Sequence, residues 1–205
     1  MGSLPAVAIP TETPTTNGDR TRQRLLDLAV QRFAADGFRR TSVSDIARDA
    51  DLTPAAVYAY FDNKDALFKA AVDADSSALI DGSRQAVDGL PMREGVGTMV
   101  SVLLERVAEH PLAARVLSGQ EPDVIDRLLD LPSQQRLTDE VAAGIELAQA
   151  AGTIRSDIDA RLLAEGLESI VLSLLMSTLQ AGVPSSSRRA TAARAVLDAA
   201  LRPPE

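Results

Sequence analysis

The stretch from Ser42 to Lys64, SVSDIARDADLTPAAVYAYFDNK, carries residues whose types and spacing fit contact with DNA. Its first part predicts a short helix, because apolar residues recur at i, i+3, i+4 and i+7, on one helical face: Val43, Ile46, Ala47 and Ala50. Ser42, with Asp45 three residues later, is typical of a capping box at the start of this helix. The pattern ends at Asp51.

A second helix is predicted to begin almost at once. Thr53 is a favourable N-cap, and Pro54 follows at the first helical position, where its missing N–H costs nothing. Two short helices separated by so few residues have the spacing of a helix-turn-helix unit.

The second helix has an unusual predicted outer surface. With Leu52, Val57 and Phe61 facing inward, small and aromatic residues remain outside rather than Lys and Glu: Thr53, Pro54, Ala55, Ala56, Tyr58 and Tyr60. Small side chains allow close approach to a groove, an Ala or Thr methyl can touch a thymine methyl, and a tyrosine hydroxyl can bond a phosphate oxygen. Lys64 starts the next helix, where its charge and the backbone N–H groups suit a phosphate. The alternative is that Tyr58 and Tyr60 are core-edge residues.

From about Arg20 to Val72 the chain resembles the DNA-binding domain of TetR-family (tetracycline-repressor-like) transcriptional regulators. Four motifs carry the resemblance, in the family's order and spacing: FAADGF (33–38), TSVSDIA (41–47), YAYF (58–61) and KDAL (64–67). Two positions depart from the pattern. Asp51 stands where the family often has Gly, although Asp tolerates the left-handed conformation, and Pro54 offers no polar group for base reading.

The resemblance implies the DNA contacts. Thr41 and Ser42 would touch the phosphate backbone, and Ser44 would point toward bases or backbone. The major groove would hold Thr53, Ala55, Ala56 and Tyr58, with phosphates clamped by Tyr60 and Lys64. Arg20 and Arg22, just before the first helix, would contact phosphates as well; the alternative for both is an ordinary solvated, basic helix start.

Composition predicts an all-α protein and excludes several kinds of site. The 205 residues are rich in Ala and Leu, and one of them is a histidine. The chain contains no cysteine, so disulfides and thiol redox sensing are excluded. The net charge is −8, but residues 18–72 hold 9 basic and 8 acidic residues, which leaves the acidic excess elsewhere. DNA affinity would therefore depend on a few positioned contacts.

The predicted organisation has about nine helices in three parts: a disordered tail (1–18), a three-helix helix-turn-helix DNA-binding domain (19–65), and a helical effector-binding and dimerisation domain (66–205). Helices are expected from Arg20 to Ala35 and from Asn63 to Ser83, and five more in the body: 92–109, 111–117, 123–151, 159–181 and 188–201. The longest apolar stretch, Ile170 to Leu179, is too short to span a bilayer. Together with the lack of a signal peptide, this predicts a cytoplasmic protein without a membrane partner.

The last two predicted helices favour self-association. The first is apolar around most of its circumference and should be buried on most sides. The family resemblance implies a homodimer through a four-helix bundle, with this predicted interface: Leu167, Ile170, Leu174, Ala193, Val196, Leu197 and Ala200. The alternative is that both helices only complete the core of one chain.

The expected function is a ligand-responsive repressor that binds a palindromic double-stranded DNA operator. A small, largely apolar effector would occupy the aliphatic body, where methionines suit an adaptable pocket. The predicted pocket residues are Met92, Met99, His110, Gln120, Ser173 and Met176; no metal or cofactor is expected. One alternative is an interaction protein of the same fold that has lost DNA binding. The other is an all-α enzyme, for which no catalytic constellation is found; Glu165 and Glu168 are interpreted as a solvated helix face.

Overall fold

The chain is mostly helical in the residues that the computed structural model describes, 16–121, 130–182, 184 and 187–204. Nine α-helices and one 3-10 turn (Val107–Glu109) lie within these ranges, and no strand. The helices are α1 (Asn17–Arg40), α2 (Val43–Asp49), α3 (Pro54–Tyr58), α4 (Lys64–Arg84), α5 (Met92–Arg106), α6 (Pro111–Leu117), α7 (Pro132–Ala150), α8 (Ala160–Ala181) and α9 (Arg188–Leu201). The all-α prediction is confirmed.

Helix α1 is longer than predicted at both ends. It begins at Asn17 because Thr16 and Asp19 form a reciprocal capping box, with each side chain accepting the other's backbone N–H. Thr16 to Gly18 therefore belong to this helix end, and the rest of the predicted tail, 1–15, lies outside the described residues. Gly37 (φ +80°) breaks the helical geometry two residues after the predicted end at Ala35, and a further turn continues to Arg40.

Helices α1 to α3 form the unit that we call the head. Its core joins one face of each helix: Leu25, Leu26, Ala29, Phe33, Val43, Ile46, Ala47 and Val57 are all buried. Phe33 also packs edge-on against Phe68 of α4, with 4.9 Å between ring centroids, and Phe38 lies 5.1 Å from the same ring. The predicted boundary after residue 65 thus falls in the first turn of α4, a continuous helix that shares the core of the head.

Helices α4 to α9 form the body. Helix α8 packs against α7, α9, α6 and α5, and α9 also packs against α5. Helix α7 begins at Pro132, and the start predicted near Asp123 lies outside the described residues. Leu163, Leu175 and Leu197 are among the buried residues at the centre of this bundle.

Helix α8 corrects two expectations. The expectation that no apolar segment is long enough to span a bilayer is based on Ile170 to Leu179 alone. The whole helix, Ala160–Ala181, is long and apolar enough to cross a membrane by length and composition. The predicted burial on most sides is also wrong for a single chain, since only 28% of its apolar window is buried. Its inner face packs in the bundle while Gly166, Ser169 and Ser173 lie exposed on the outside. Helix α8 therefore has the packing of a core helix with one open face.

Candidate DNA-binding surface, effector cavity and dimer face

The turn between α2 and α3 holds the second helix at a defined angle. Asp51 takes the left-handed conformation (φ +56°), as the sequence required, and the Leu52 N–H donates back to the Ala47 carbonyl at 2.8 Å. The Thr53 hydroxyl oxygen accepts the Ala56 N–H at 3.2 Å and starts α3. Val57 and Phe61 are buried beneath α3 and anchor it to the head.

The outer side of α3 exposes Pro54 and three of the residues predicted to lie in the major groove. Thr53, Ala55 and Tyr58 lie exposed, and Tyr58 keeps 49% of its surface accessible. Ala56 is half-buried. Tyr60 is half-buried against the hydrophobic core, so the core-edge alternative describes its ring. The result is a short, smooth helix surface without a charged side chain.

Two cations beside α3 are held by aromatic rings, which the sequence did not predict. The Lys64 ammonium lies 4.4 Å from the centroid of the Phe38 ring, and the Arg22 guanidinium lies 5.2 Å from that of Phe61. Arg20 and Arg22 lie within α1, not before it as predicted, because α1 starts earlier. Arg20 is exposed. Positive charge therefore lies next to the uncharged surface of α3.

Thr41 and Ser42 have other partners than the predicted phosphates. Thr41 is buried (4% exposed), and its hydroxyl donates to the Gly37 carbonyl at 2.9 Å, so this side chain is engaged inside the head and is not presented to a phosphate. The Ser42 hydroxyl accepts the Asp45 N–H at 3.1 Å and donates to the Asp45 carboxylate at 2.6 Å, a variant of the predicted capping box. Ser44 is exposed.

Arginines inside the head neutralise its carboxylates. Arg32 of α1 donates twice to Asp49 of α2, at 2.6 and 2.9 Å, and this hydrogen bonding holds the pKa of Asp49 below its usual value. Arg24 pairs with Asp51 at 2.9 Å. These pairs join α1 to the helix-turn-helix unit, so part of the basic charge of the head is engaged within the protein.

A cavity of about 740 Å³ lies in the body between α4, α5, α6, α7 and α8. Its walls are mainly aliphatic, and the predicted Met92 and Met99 are among them. The sequence missed most of the others because they are ordinary core residues by type: Leu79, Ile80, Val100, Leu103, Leu137, Val141, Val171, Leu172 and Leu175. A volume of this size suits a small organic molecule.

Four predicted pocket residues do not line this cavity. His110 lies at the start of α6, where its Nδ1 is 3.1 Å from the Asp75 carboxylate. Gln120 is tied to Ser118 at 2.9 Å and to Arg115 at 3.2 Å. Ser173 and Met176 are on other faces of α8, where the Ser173 hydroxyl donates to the Ser169 carbonyl. Residue type alone does not show which side of a helix faces the cavity.

Glu168 lines the cavity, and its interpretation as part of a solvated face is wrong. Its carboxylate lies 2.5 Å from the Thr138 hydroxyl across the α7–α8 contact. Burial is the main cause that raises the pKa of this carboxyl, and the bond to Thr138 opposes it. Glu165, three residues earlier, is exposed and pairs with Arg161 at 2.9 Å, as that interpretation expected.

Helix α6 fastens the body to the head. Arg115 of α6 donates to Glu121 at 2.8 Å, and the same carboxylate oxygen accepts the Phe38 N–H at 3.1 Å. A Cβ atom at Gly37 would lie 2.5 Å from the Arg115 guanidinium, so glycine permits this approach as well as the positive φ. We call this contact of Arg115, Glu121, Gly37 and Phe38 the clamp.

The outer faces of α8 and α9 differ from the predicted dimer interface. Leu167, Leu174 and Leu197 are buried within the chain, and Leu167 lines the cavity, so these three are not available to a partner. Val196 is 56% exposed, and Ile170, Ala193 and Ala200 are half-buried against the core. Beside Val196, the exposed residues of the two helices include one other large apolar residue, Leu162 (62% exposed), and several small ones: Gly166, Ser169 and Ser173 on α8, with Ala192, Ala195 and Ala199 on α9.

Within the described ranges, no three His, Asp or Glu side chains gather to hold a metal ion.

The head itself matches a known family. Residues 25–71 match the model of bacterial regulatory proteins of the tetR family. This match includes all four motifs, and the start of α1 lies outside it.

Curated relatives extend the similarity over most of the chain. The HTH-type transcriptional regulator UidR of Escherichia coli (strain K12) is 24% identical over 163 residues, 78% of this chain and 82% of UidR. The HTH-type transcriptional repressor KstR2 of Rhodococcus jostii (strain RHA1) is 27% identical over 157 residues, 75% of this chain and 77% of KstR2.

Solved structures of transcriptional regulators share the fold. The structure of the transcriptional regulator FadR from Bacillus subtilis in complex with stearoyl-CoA superposes with a TM-score of 0.64 at 16% identity, over 87% of this chain and 97% of FadR. The head is a TetR-family DNA-binding domain by its match over residues 25–71, and together with the helical body and this set of relatives it identifies the chain as a DNA-binding transcriptional regulator.

Proposed function

We propose that this regulator is a ligand-responsive repressor, which binds a palindromic DNA operator as a homodimer and releases it when a small, largely apolar effector enters the cavity. The observation that carries this is that one helix, α4, serves both sites. Leu79 and Ile80 near its end line the cavity, while Lys64, Leu67 and Phe68 at its start lie in or beside the head. The repressor name of KstR2 supports the same direction of control.

On the DNA side, α3 would enter the major groove with Thr53, Ala55 and Tyr58. The half-buried Ala56 would lie at the edge of this contact. Lys64, Arg20, Arg22 and Ser44 would face phosphates. Because the surface of α3 is small and uncharged, direct base readout would come from methyl contacts and the Thr53 and Tyr58 hydroxyls. A cytoplasmic location follows from this role.

On the ligand side, two helices would transmit the signal. Helix α6 contributes Ala113 and Leu117 to the cavity wall, and its Arg115 holds the end of α1 through the clamp. A ligand that displaces α4 and α6 would therefore move the head at two points. It lowers DNA affinity only if it binds the DNA-free arrangement more tightly than the DNA-bound one.

The dimer would form through α8 and α9. Small exposed residues allow the helices of two chains to approach closely, with Leu162 and Val196 as the large apolar contacts. A two-fold axis presents two copies of α3 to successive major grooves and predicts a palindromic site.

The test is selection of DNA fragments from the source genome by the purified full-length protein, followed by anisotropy titrations of the selected site at several salt concentrations. We expect one two-fold symmetric sequence, bound with a steep dependence on salt. Absence of any salt-dependent binding would contradict the proposal and favour an interaction protein of the same fold.

A further inference from the structure

The effector cavity has mainly apolar walls, and among its charged lining residues the acidic ones outnumber the basic ones. The described lining residues include four carboxylates, Asp88, Asp139, Glu140 and Glu168, against one cation, Arg84. No aromatic side chain is among the described lining residues. An apolar cavity with more carboxylates than cations favours a lipophilic cation over a lipophilic anion.

Two of the four carboxylates already have cationic partners. Arg84 is bound by Glu140, and Arg161, outside the cavity, is bound by Asp139. The one arginine of the lining is thus engaged within the protein. A carboxylate or phosphate ligand would find no open cation among the described cavity residues and would meet several negative charges.

Glu168 forms no ion pair among the described residues, although the charge of Arg161 acts on it from a distance, and its one hydrogen-bond partner there is the Thr138 hydroxyl. That hydroxyl also lies 3.0 Å from the Gln134 carbonyl, as a donor. A hydroxyl carries a single proton and cannot donate fully to both oxygens. The ionised carboxylate is therefore undersupplied with donors, in a half-buried position beside aliphatic walls.

We propose that the effector is a lipophilic primary or secondary amine, whose ammonium group donates to Glu168 while its aliphatic body fills the cavity. This rests on the proposed function for the cavity itself. An ammonium N–H supplies both the missing donor and the missing charge. Quaternary ammonium ions fit less well, because they have no N–H to donate and are bound by aromatic cages, which the described lining lacks.

The experiment is calorimetric titration of the full-length protein with three probes that share one alkyl chain: n-decylammonium, n-decanol and n-decanoate. We expect decylammonium to bind about tenfold or more tightly than decanol, as for a hydrogen bond to a charged group. Decanoate should bind most weakly. Equal or tighter binding of decanoate would overturn the proposal.

Two matched variants assign the preference to one carboxylate. In Glu168→Gln the advantage of decylammonium over decanol should disappear, while retained decanol binding shows that the cavity is intact. Glu165→Gln makes the same change one helical turn away, on the exposed side of α8, and should keep the advantage. If the two variants behave alike, Glu168 is not the amine site and the proposal fails.

Failure of this inference is separable from failure of the repressor proposal. If the protein binds its selected DNA site but shows no Glu168-dependent preference for the amine, the ligand class is wrong and the repressor proposal stands. If the preference is found but no DNA site is bound, the ligand class stands and the repressor proposal falls.

Discussion

At the scale of single side chains, the proposed DNA-binding surface depends on a few cations, and Lys64 is the one that an aromatic ring holds at the start of α4. The Phe38 ring holds its ammonium at the start of α4, beside α3. We expect Lys64→Met to weaken operator binding. The slope of log binding constant against log salt concentration should become shallower by roughly 0.9 per head, the share of one phosphate contact. Anisotropy titrations from low to high salt measure both effects.

The control for this charge is Lys69→Met, which removes a cation farther along α4. Lys69 pairs with Asp65 at 3.0 Å. We expect its salt slope to stay near that of the wild type. An equal decrease in both variants would show that Lys64 acts only through the overall charge of the head.

Glu168 provides a residue-scale prediction about stability. Burial raises the pKa of its carboxyl in the folded protein, so the folded state binds this proton more readily than the unfolded state. The resulting stabilisation is fully present below the ordinary Glu pKa, about 4.3, and is lost as the pH rises through the folded value. Relative to wild type, Glu168→Gln should therefore gain stability as the pH rises toward neutral.

Urea unfolding of wild type, Glu168→Gln and Glu165→Gln across this pH range, at one protein concentration, measures the difference. Glu165→Gln removes only the neighbouring charge, a smaller cause of the raised pKa than burial, so its profile should depart from that of the wild type less than the profile of Glu168→Gln does. Parallel profiles for wild type and Glu168→Gln would be inconsistent with a raised pKa at Glu168.

At the scale of elements, the clamp joins α6 to α1. The Arg115 and Glu121 side chains are only 18% and 11% exposed, so Glu121→Gln would leave a mostly buried guanidinium without its counter-ion. We expect a loss of about 3 kcal/mol in the free energy of unfolding, as for a broken buried pair. Chemical denaturation measures it. The exposed pair of Arg155 and Asp157 is the comparison: Asp157→Asn should cost under about 1 kcal/mol.

The clamp also has a functional consequence. Because α6 lines the cavity and holds α1, weakening the clamp should reduce the effect of a bound ligand on DNA affinity more than it reduces ligand binding itself. A Glu121→Gln protein that still binds the ligand and still releases DNA to the same extent would show that α4 alone transmits the signal.

For the whole molecule, the prediction concerns the outer face of α8. A Cβ atom at Gly166 meets nothing within 4 Å in the chain, and the position is exposed, so Gly166→Leu is accommodated by one chain. Between two closely packed copies the same side chain would clash. We expect a shift from dimer to monomer in sedimentation experiments, with loss of tight operator binding, since each half-site contact is then independent.

Ala150→Leu is the control for Gly166→Leu, because Ala150 is an exposed small residue at the end of α7, away from this face. It should remain dimeric. If Gly166→Leu is dimeric as well, the interface lies elsewhere on the molecule.

The sequence by itself determined the elements whose signals are local. Thr53 caps α3 and Ser42 caps α2 through bonds that span three residues, and Asp51 takes the left-handed turn that its position requires. Such signals depend on neighbouring residues alone, so they are legible without the fold. The four motifs of the head lie in the same short range, and they identified the family.

Only the tertiary structure decided which faces of the body meet. Helix α8 is apolar on several sides, so its periodicity does not separate core, cavity and partner: Leu167 faces the cavity, and Gly166 beside it faces outward. The bond from Phe38 to Glu121 joins residues 83 positions apart. Glu168 becomes a cavity carboxylate only because α7 brings Thr138 against it. Contacts between distant segments arise from packing, and no local pattern encodes them.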